Sequence, residues 1–185
     1  EWVEACIRTT LGASYVLVAP DTPREVRRSY LAQGQTWLAQ AATAFRDCSD
    51  TYGEAVTRLW QCLLWQETGD KARLHRDLAE LLTLTGRHRY DFLFERRTLM
   101  GPPDPRALVP LLLEARQALA EGRNGRDAAV DPAEHPAAVA ERLLRGLGLS
   151  RLVIHPGYQL RVQTLGPFRL WRGQVAVEAR DWRRK

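Results

Sequence analysis

The chain has 185 residues and a mass of 21.0 kDa, enough to bury a core without disulfides or a structural metal. At 45% hydrophobic and 26% charged it is not a disordered chain, and its longest apolar run, Leu108 to Leu113, is broken by Pro110, which excludes a membrane span of roughly 18 residues. The net charge of +5 lies entirely in Gln159 to Lys185, where seven basic residues face two acidic ones, so a polyanion partner is expected at that end and not on the neutral remainder.

Up to about Gly148 apolar residues recur three and four apart, the period of helices packed as antiparallel hairpins. A first helix is predicted from Trp2 to Val18, although Tyr15 to Val18 also reads as a short strand, and it stops before Pro20, Asp21 and Pro23. The next stretch, Arg24 to about Cys48, carries Gly34 and is expected to be kinked or divided there. Helices from Tyr52 to Thr68 and Lys71 to Leu84 flank a tight turn at Gly69 and Asp70. Gly86 to Arg89 is predicted as a break and Tyr90 to Met100 as another helix. The run Gly101, Pro102, Pro103, Asp104, Pro105 is then a strong stop and restart, with Asp104 as N-cap of a helix reaching Glu121.

Residues 122–131 read as a linker, and a last helix is expected from Pro132 to about Leu147. Beyond it the period changes to two. Tyr158 to Leu165 and Phe168 to Trp171 alternate around a Gly166, Pro167 turn, and Val175 to Val177 follows, which predicts a small antiparallel β-meander. The expected organisation is therefore mainly α: residues 1–121 helical hairpins, 122–131 linker, 132–157 terminal helix and connector, 158–185 a small sheet.

The hairpin Tyr52 to Leu84 has about the 34-residue length of a tetratricopeptide repeat. It places Cys62 at a small-residue position, Trp65 at an aromatic one, and Leu74, Leu78 and Leu81 on the returning face, while Leu11, Gly12 and Tyr15 echo the first helix of the same repeat. Unrelated leucine-rich hairpins give similar patterns, and that reading stays open beside the repeat.

Two further strings carry a second resemblance: Arg87 to Phe94 with Gly101 to Leu112, and His155 to Phe168. They resemble large bacterial transcriptional regulators, MalT-like in their helical part and of the antibiotic regulatory (SARP/BTAD) family in their DNA-binding part. Leu160, Val162, Leu165, Gly166, Phe168 and Gly173, with Trp182, Arg183, Arg184 and Lys185 after them, match the strand-turn-strand unit that opens an OmpR-like winged helix in that family. The chain stops at Lys185, before the family's recognition helix and wing. The resemblance implies a TPR-like α-solenoid that senses a partner or effector and is coupled to an adjacent DNA-binding domain.

No chemistry is predicted. His75, His88, His135 and His155 are scattered, with no HExxH and no phosphate-binding glycine loop, so no enzyme, cofactor or metal is expected. Cys6, Cys48 and Cys62 lack metal spacing and read as small buried thiols of a cytoplasmic protein. With neither Met nor a signal-peptide pattern at Glu1, the chain is expected to be a segment of a longer protein.

Trp60 and Trp65 point about 140° apart on a helix, so a partner or small-molecule effector groove is predicted at Leu59, Trp60, Leu63 and Gln66. DNA phosphate contacts are predicted at Arg180, Arg183, Arg184 and Lys185. The unpaired sheet edge offers a route to a homodimer, and no membrane partner is expected. A protein-binding repeat scaffold without a DNA role is the alternative reading.

Overall fold

The structure, a computed structural model, describes residues 1–121, 135–149, 160–163, 169–172 and 175–176. The fold is mainly helical, and the chain divides into two compact units, Glu1–Ser150 and Arg151–Lys185.

In the first unit α1 (Trp2–Val18) packs on α2 (Arg24–Asp47), α2 on α3 (Thr51–Thr68), and α3 on α4 (Lys71–His88). A single helical turn, α5 (Phe92–Glu95), and a 3-10 turn at Pro105–Leu108 lead to α6 (Val109–Glu121). Helix α7 (Pro136–Gly146) packs on both α6 and α4, which makes the pair a third layer on the second hairpin. The Tyr15 to Val18 segment is helical throughout.

Local chemistry explains the helix ends. Asp50 caps α3 by accepting from the Tyr52 and Gly53 backbone N–H groups, and it also accepts a 2.7 Å bond from the Trp2 indole, so one carboxylate joins a helix start to α1. Gly69 ends α3 in the left-handed conformation, φ 76°, and Asp70 caps α4 through the Arg73 N–H. This turn sends α4 back along α3.

Four expectations are corrected. Helix α2 runs unbroken through Gly34, which is buried and serves close approach: a side chain there would meet the Gly12 carbonyl oxygen and the Tyr15 Cβ at 3.3 Å. Helix α4 passes Gly86 and ends at His88, because Arg89 adopts φ 57° and its N–H bonds the Thr85 carbonyl. The helix expected from Tyr90 to Met100 is only the turn Phe92–Glu95. Arg96 is extended there, and the prolines beyond Gly101 cannot resume a helix. Asp104 does cap through the Arg106 N–H, but Pro105 opens a 3-10 turn and α6 itself begins at Val109.

Helix α7 starts at Pro136 with the His135 ring accepting from the Ala137 N–H. The expected linker at 122–131 and helix start at Pro132 lie outside the described residues. Of the thiols, Cys62 is buried, Cys6 half-buried and Cys48 exposed, so the expectation of three buried cysteines fails for Cys48. It sits at the C-terminal cap of α2, where the chain turns outward.

In the second unit β1 (Leu160–Gln163) pairs antiparallel with β2 (Arg169–Arg172), Leu160 opposite Arg172 and Gln163 opposite Arg169. The two-residue strand β3 (Val175–Ala176) pairs antiparallel with β2, giving the order β1-β2-β3.

The tightest helix contact is at Gly53, where an added Cβ would lie 2.4 Å from two ring carbons of the fully buried Phe45. Phe45 is itself fully buried. Gly53→Ala is therefore expected to destabilise the helical unit by about 1–3 kcal/mol despite the better helix propensity of alanine, read as a lowered urea midpoint at unchanged slope.

Candidate functional site

Helix α3 is the centre of the first unit and is buried nearly all round, by α1 and α2 on one side and α4 on the other. Its polar groups are therefore matched one by one. Thr57 and Thr9 of α1 share a buried 2.9 Å hydroxyl contact. Arg58, 7% exposed, donates from Nε and Nη2 to Glu54 Oε1 at 3.0 and 2.8 Å, and its Nη2 lies 2.5 Å from Glu80 Oε2 of α4. Asp77 of α4, 4% exposed, stands 3.8 Å from Arg58 Nη1 and accepts a 2.6 Å bond from the Trp65 indole. Arg73 lies over the Trp65 ring at 4.9 Å, a cation–π contact on the same hairpin.

These groups fix the two helices of the second hairpin in register. Burial, with the Asp77 carboxylate nearby, pushes the Cys62 thiol well above its ordinary value, which keeps it a neutral packing residue.

The groove predicted at Leu59, Trp60, Leu63 and Gln66 is corrected in part. Leu59 and Trp60 are core residues, and Trp65 is buried as well, so neither tryptophan presents a free face. The reason is that both sides of α3 are covered by neighbours, which the spacing along one helix does not reveal. Leu63 and Gln66 are half-buried. Trp60 has an unexpected partner: its indole donates a 2.7 Å bond to the Met100 carbonyl, on the segment that follows α5. The Met100 side chain packs against Ala5, Ala41 and Phe45, with Cys6 and Ala44 beside it. Nothing in the local sequence signals this contact.

A second polar junction joins the hairpins. Glu114 of α6 contacts His75 Nε2 and Lys71 Nζ of α4, each at 2.8 Å. Burial alone would raise the Glu114 carboxyl, but the hydrogen bonds and positive charge of His75 and Lys71 outweigh it and hold the group below its ordinary value. Asp91 accepts a 2.8 Å bond from Arg142 of α7. Around it Tyr52, His88, Tyr90 and Phe92 form a cluster of stacked and edge-on rings.

Arg180, Arg183, Arg184 and Lys185, the predicted phosphate contacts, lie outside the described residues, as does His155. Among the described residues no three His, Cys, Asp or Glu side chains converge as metal ligands would, and no helix is long and apolar enough to cross a membrane. No protein-family model matches the chain, and neither a curated protein nor a solved structure is significantly similar to it.

Removing Arg58 leaves Asp77 with only the more exposed Arg76 at 3.1 Å and Glu54 with Arg46 at 3.9 Å, so Arg58→Ala is expected to be clearly destabilising, by about 2–4 kcal/mol. Glu80→Gln, at a half-exposed carboxylate, is expected to stay within about 1 kcal/mol; urea denaturation of both separates the buried from the exposed partner. Because the Glu114 carboxyl is lowered on folding, its contribution is complete above its unfolded value and is lost as pH falls through the folded one. The stability difference between wild type and Glu114→Gln is expected to shrink as pH falls through the acid range, measured as urea midpoints.

Proposed function

We propose that the chain is the regulatory helical-repeat module of a bacterial transcriptional regulator, binding a partner or effector in the cytoplasm and coupling it to a DNA-binding domain that opens with the C-terminal strands. The observation that carries this reading is the combination, in one chain, of a neutral array of helical hairpins with a basic strand-turn-strand segment of the winged-helix pattern, Leu160, Val162, Leu165, Gly166, Phe168 and Gly173. The pairing of Leu160–Gln163 with Arg169–Arg172 supports it, since the family's motif needs those residues on adjacent antiparallel strands.

In this reading the hairpins α1–α2, α3–α4 and α6–α7 are successive units of a TPR-like α-solenoid, and each touches only its neighbours in the stack. A ligand that bridges two units shifts their packing, and the shift changes what the adjoining domain presents to DNA. The function is a population shift and contains no chemical step. The four basic residues Arg180, Arg183, Arg184 and Lys185 serve phosphate contacts, which position the protein without reading sequence.

The test is a salt titration of duplex DNA binding by fluorescence anisotropy, comparing the chain with a variant in which those four residues are glutamine. Steep salt dependence is expected, with the slope of log K against log salt reduced in the variant by about 3–4. Binding insensitive to salt, or an identical slope in the two proteins, would count against the phosphate role of the four residues and favour the protein-binding repeat scaffold.

A further inference from the structure

Exposed large apolar side chains gather on one helix. Trp2, Val3, Ile7, Leu11, Leu17 and Val18 of α1 are all more than two-fifths exposed, Val3 at 62% and Ile7 at 55%. Elsewhere among the described residues Val26, Leu99 and Val162 stand exposed on three separate segments. Single residues of that kind need no explanation, whereas a contiguous patch marks an interaction surface.

The helical period shows that the patch on α1 is contiguous. Ala5, Thr9, Gly12, Ala13 and Val16 are buried against the rest of the unit. On the far side Val3, Ile7, Thr10, Leu11, Ser14 and Val18 fall within an arc of about 100°, with Leu17 at its border, and all of them are exposed. The polar members make little demand on a partner. Thr10 Oγ1 donates to the Cys6 carbonyl and Ser14 Oγ to the Thr10 carbonyl, each at 2.9 Å, so both hydroxyls are satisfied within the helix. The two charged residues of α1, Glu4 and Arg8, pair with each other.

This uncharged face fits a second copy of itself. When one α1 is turned end for end about a two-fold axis level with Thr10 and Leu11, Ile7 of one copy lies beside Ser14 of the other, Val3 beside Leu17, and Leu11 beside Leu11. The large central side chain thus meets the small one, and apolar residues meet each other on both flanks. The face presents on the order of 600 Å² per copy, so two copies together reach the lower end of the roughly 1,200 to 2,000 Å² that specific interfaces bury. A lipid surface is a poorer match, because helices that lie on membranes carry Lys and Arg beside the apolar face, and Arg8, the one cation of α1, is tied to Glu4.

We propose that α1 is a homodimer interface, in which two copies pair antiparallel through the face of Val3, Ile7, Leu11 and Leu17. The surface is distinct from the unpaired sheet edge, and the inference draws on neither the DNA half nor the effector half of the regulatory reading.

Sedimentation equilibrium of the whole chain across the micromolar range is expected to give a mass rising from 21.0 kDa toward twice that value. Ile7→Glu, a change at an exposed position, is expected to weaken the dimer by about tenfold or more at unchanged helical circular dichroism. Val162→Glu, at the exposed valine of the sheet, is expected to leave it intact. Mild oxidation in a Cys48→Ser background reads the register. Thr10→Cys is expected to form an intermolecular disulfide because its two copies meet at the axis, and Val3→Cys is not, because its two copies lie more than about 20 Å apart in an antiparallel pair. A monomer throughout the range, or a dimer that Ile7→Glu leaves intact, would overturn the proposal. So would a dimer lost only in Val162→Glu, or one cross-linked no better at Thr10 than at Val3.

Discussion

A helix enclosed on nearly every side must find a partner for each polar group it carries, and α3 sets that constraint for the helical unit. Arg58, Thr57, Trp60 and Trp65 all point into contacts with other segments. Together they draw in three: Thr57 takes Thr9 of α1, Arg58 and Trp65 take Asp77 and Glu80 of α4, and Trp60 takes the Met100 carbonyl of the segment after α5. An unpartnered buried donor costs more than a typical hydrogen bond contributes, so these pairings decide which surfaces meet and in what register.

Close approach is the second requirement. The α1–α2 contact is made where Gly12 faces Leu38 and Gly34 faces the Gly12 carbonyl, and the α2–α3 contact where Gly53 faces the Phe45 ring. Small residues at the crossing points bring the helices near enough for the buried hydroxyl pair Thr9–Thr57 to form between α1 and α3. The same economy of volume at Ala5, Ala41 and Ala44 leaves the recess that Met100 fills.

The hairpins are joined by polar contacts of a more exposed kind. Lys71 and His75 meet Glu114 between α4 and α6, and Arg142 meets Asp91 between α7 and the start of α5. Such partly solvated pairs give way more easily than a dry core.

Much of the helical order was legible because it depends on near neighbours in the chain. The apolar period and the Gly69, Asp70 turn act within a few residues, and they place α1, α3 and the α3–α4 turn close to where they lie. The misreadings share a physical cause. Gly34 and Gly86 look like breaks to a local rule, but tertiary contact at Gly34 and an αL terminator at Arg89 carry the helices through. Trp60 has helical spacing that gives it a free face on an isolated helix, and the neighbouring helices together with Met100 from forty residues away leave it none. Local sequence determined where helices start and turn because those energies are settled within a turn or two; burial, the Arg58 network and the Trp60–Met100 contact were decided by the tertiary structure, since they exist only where distant segments exclude water together.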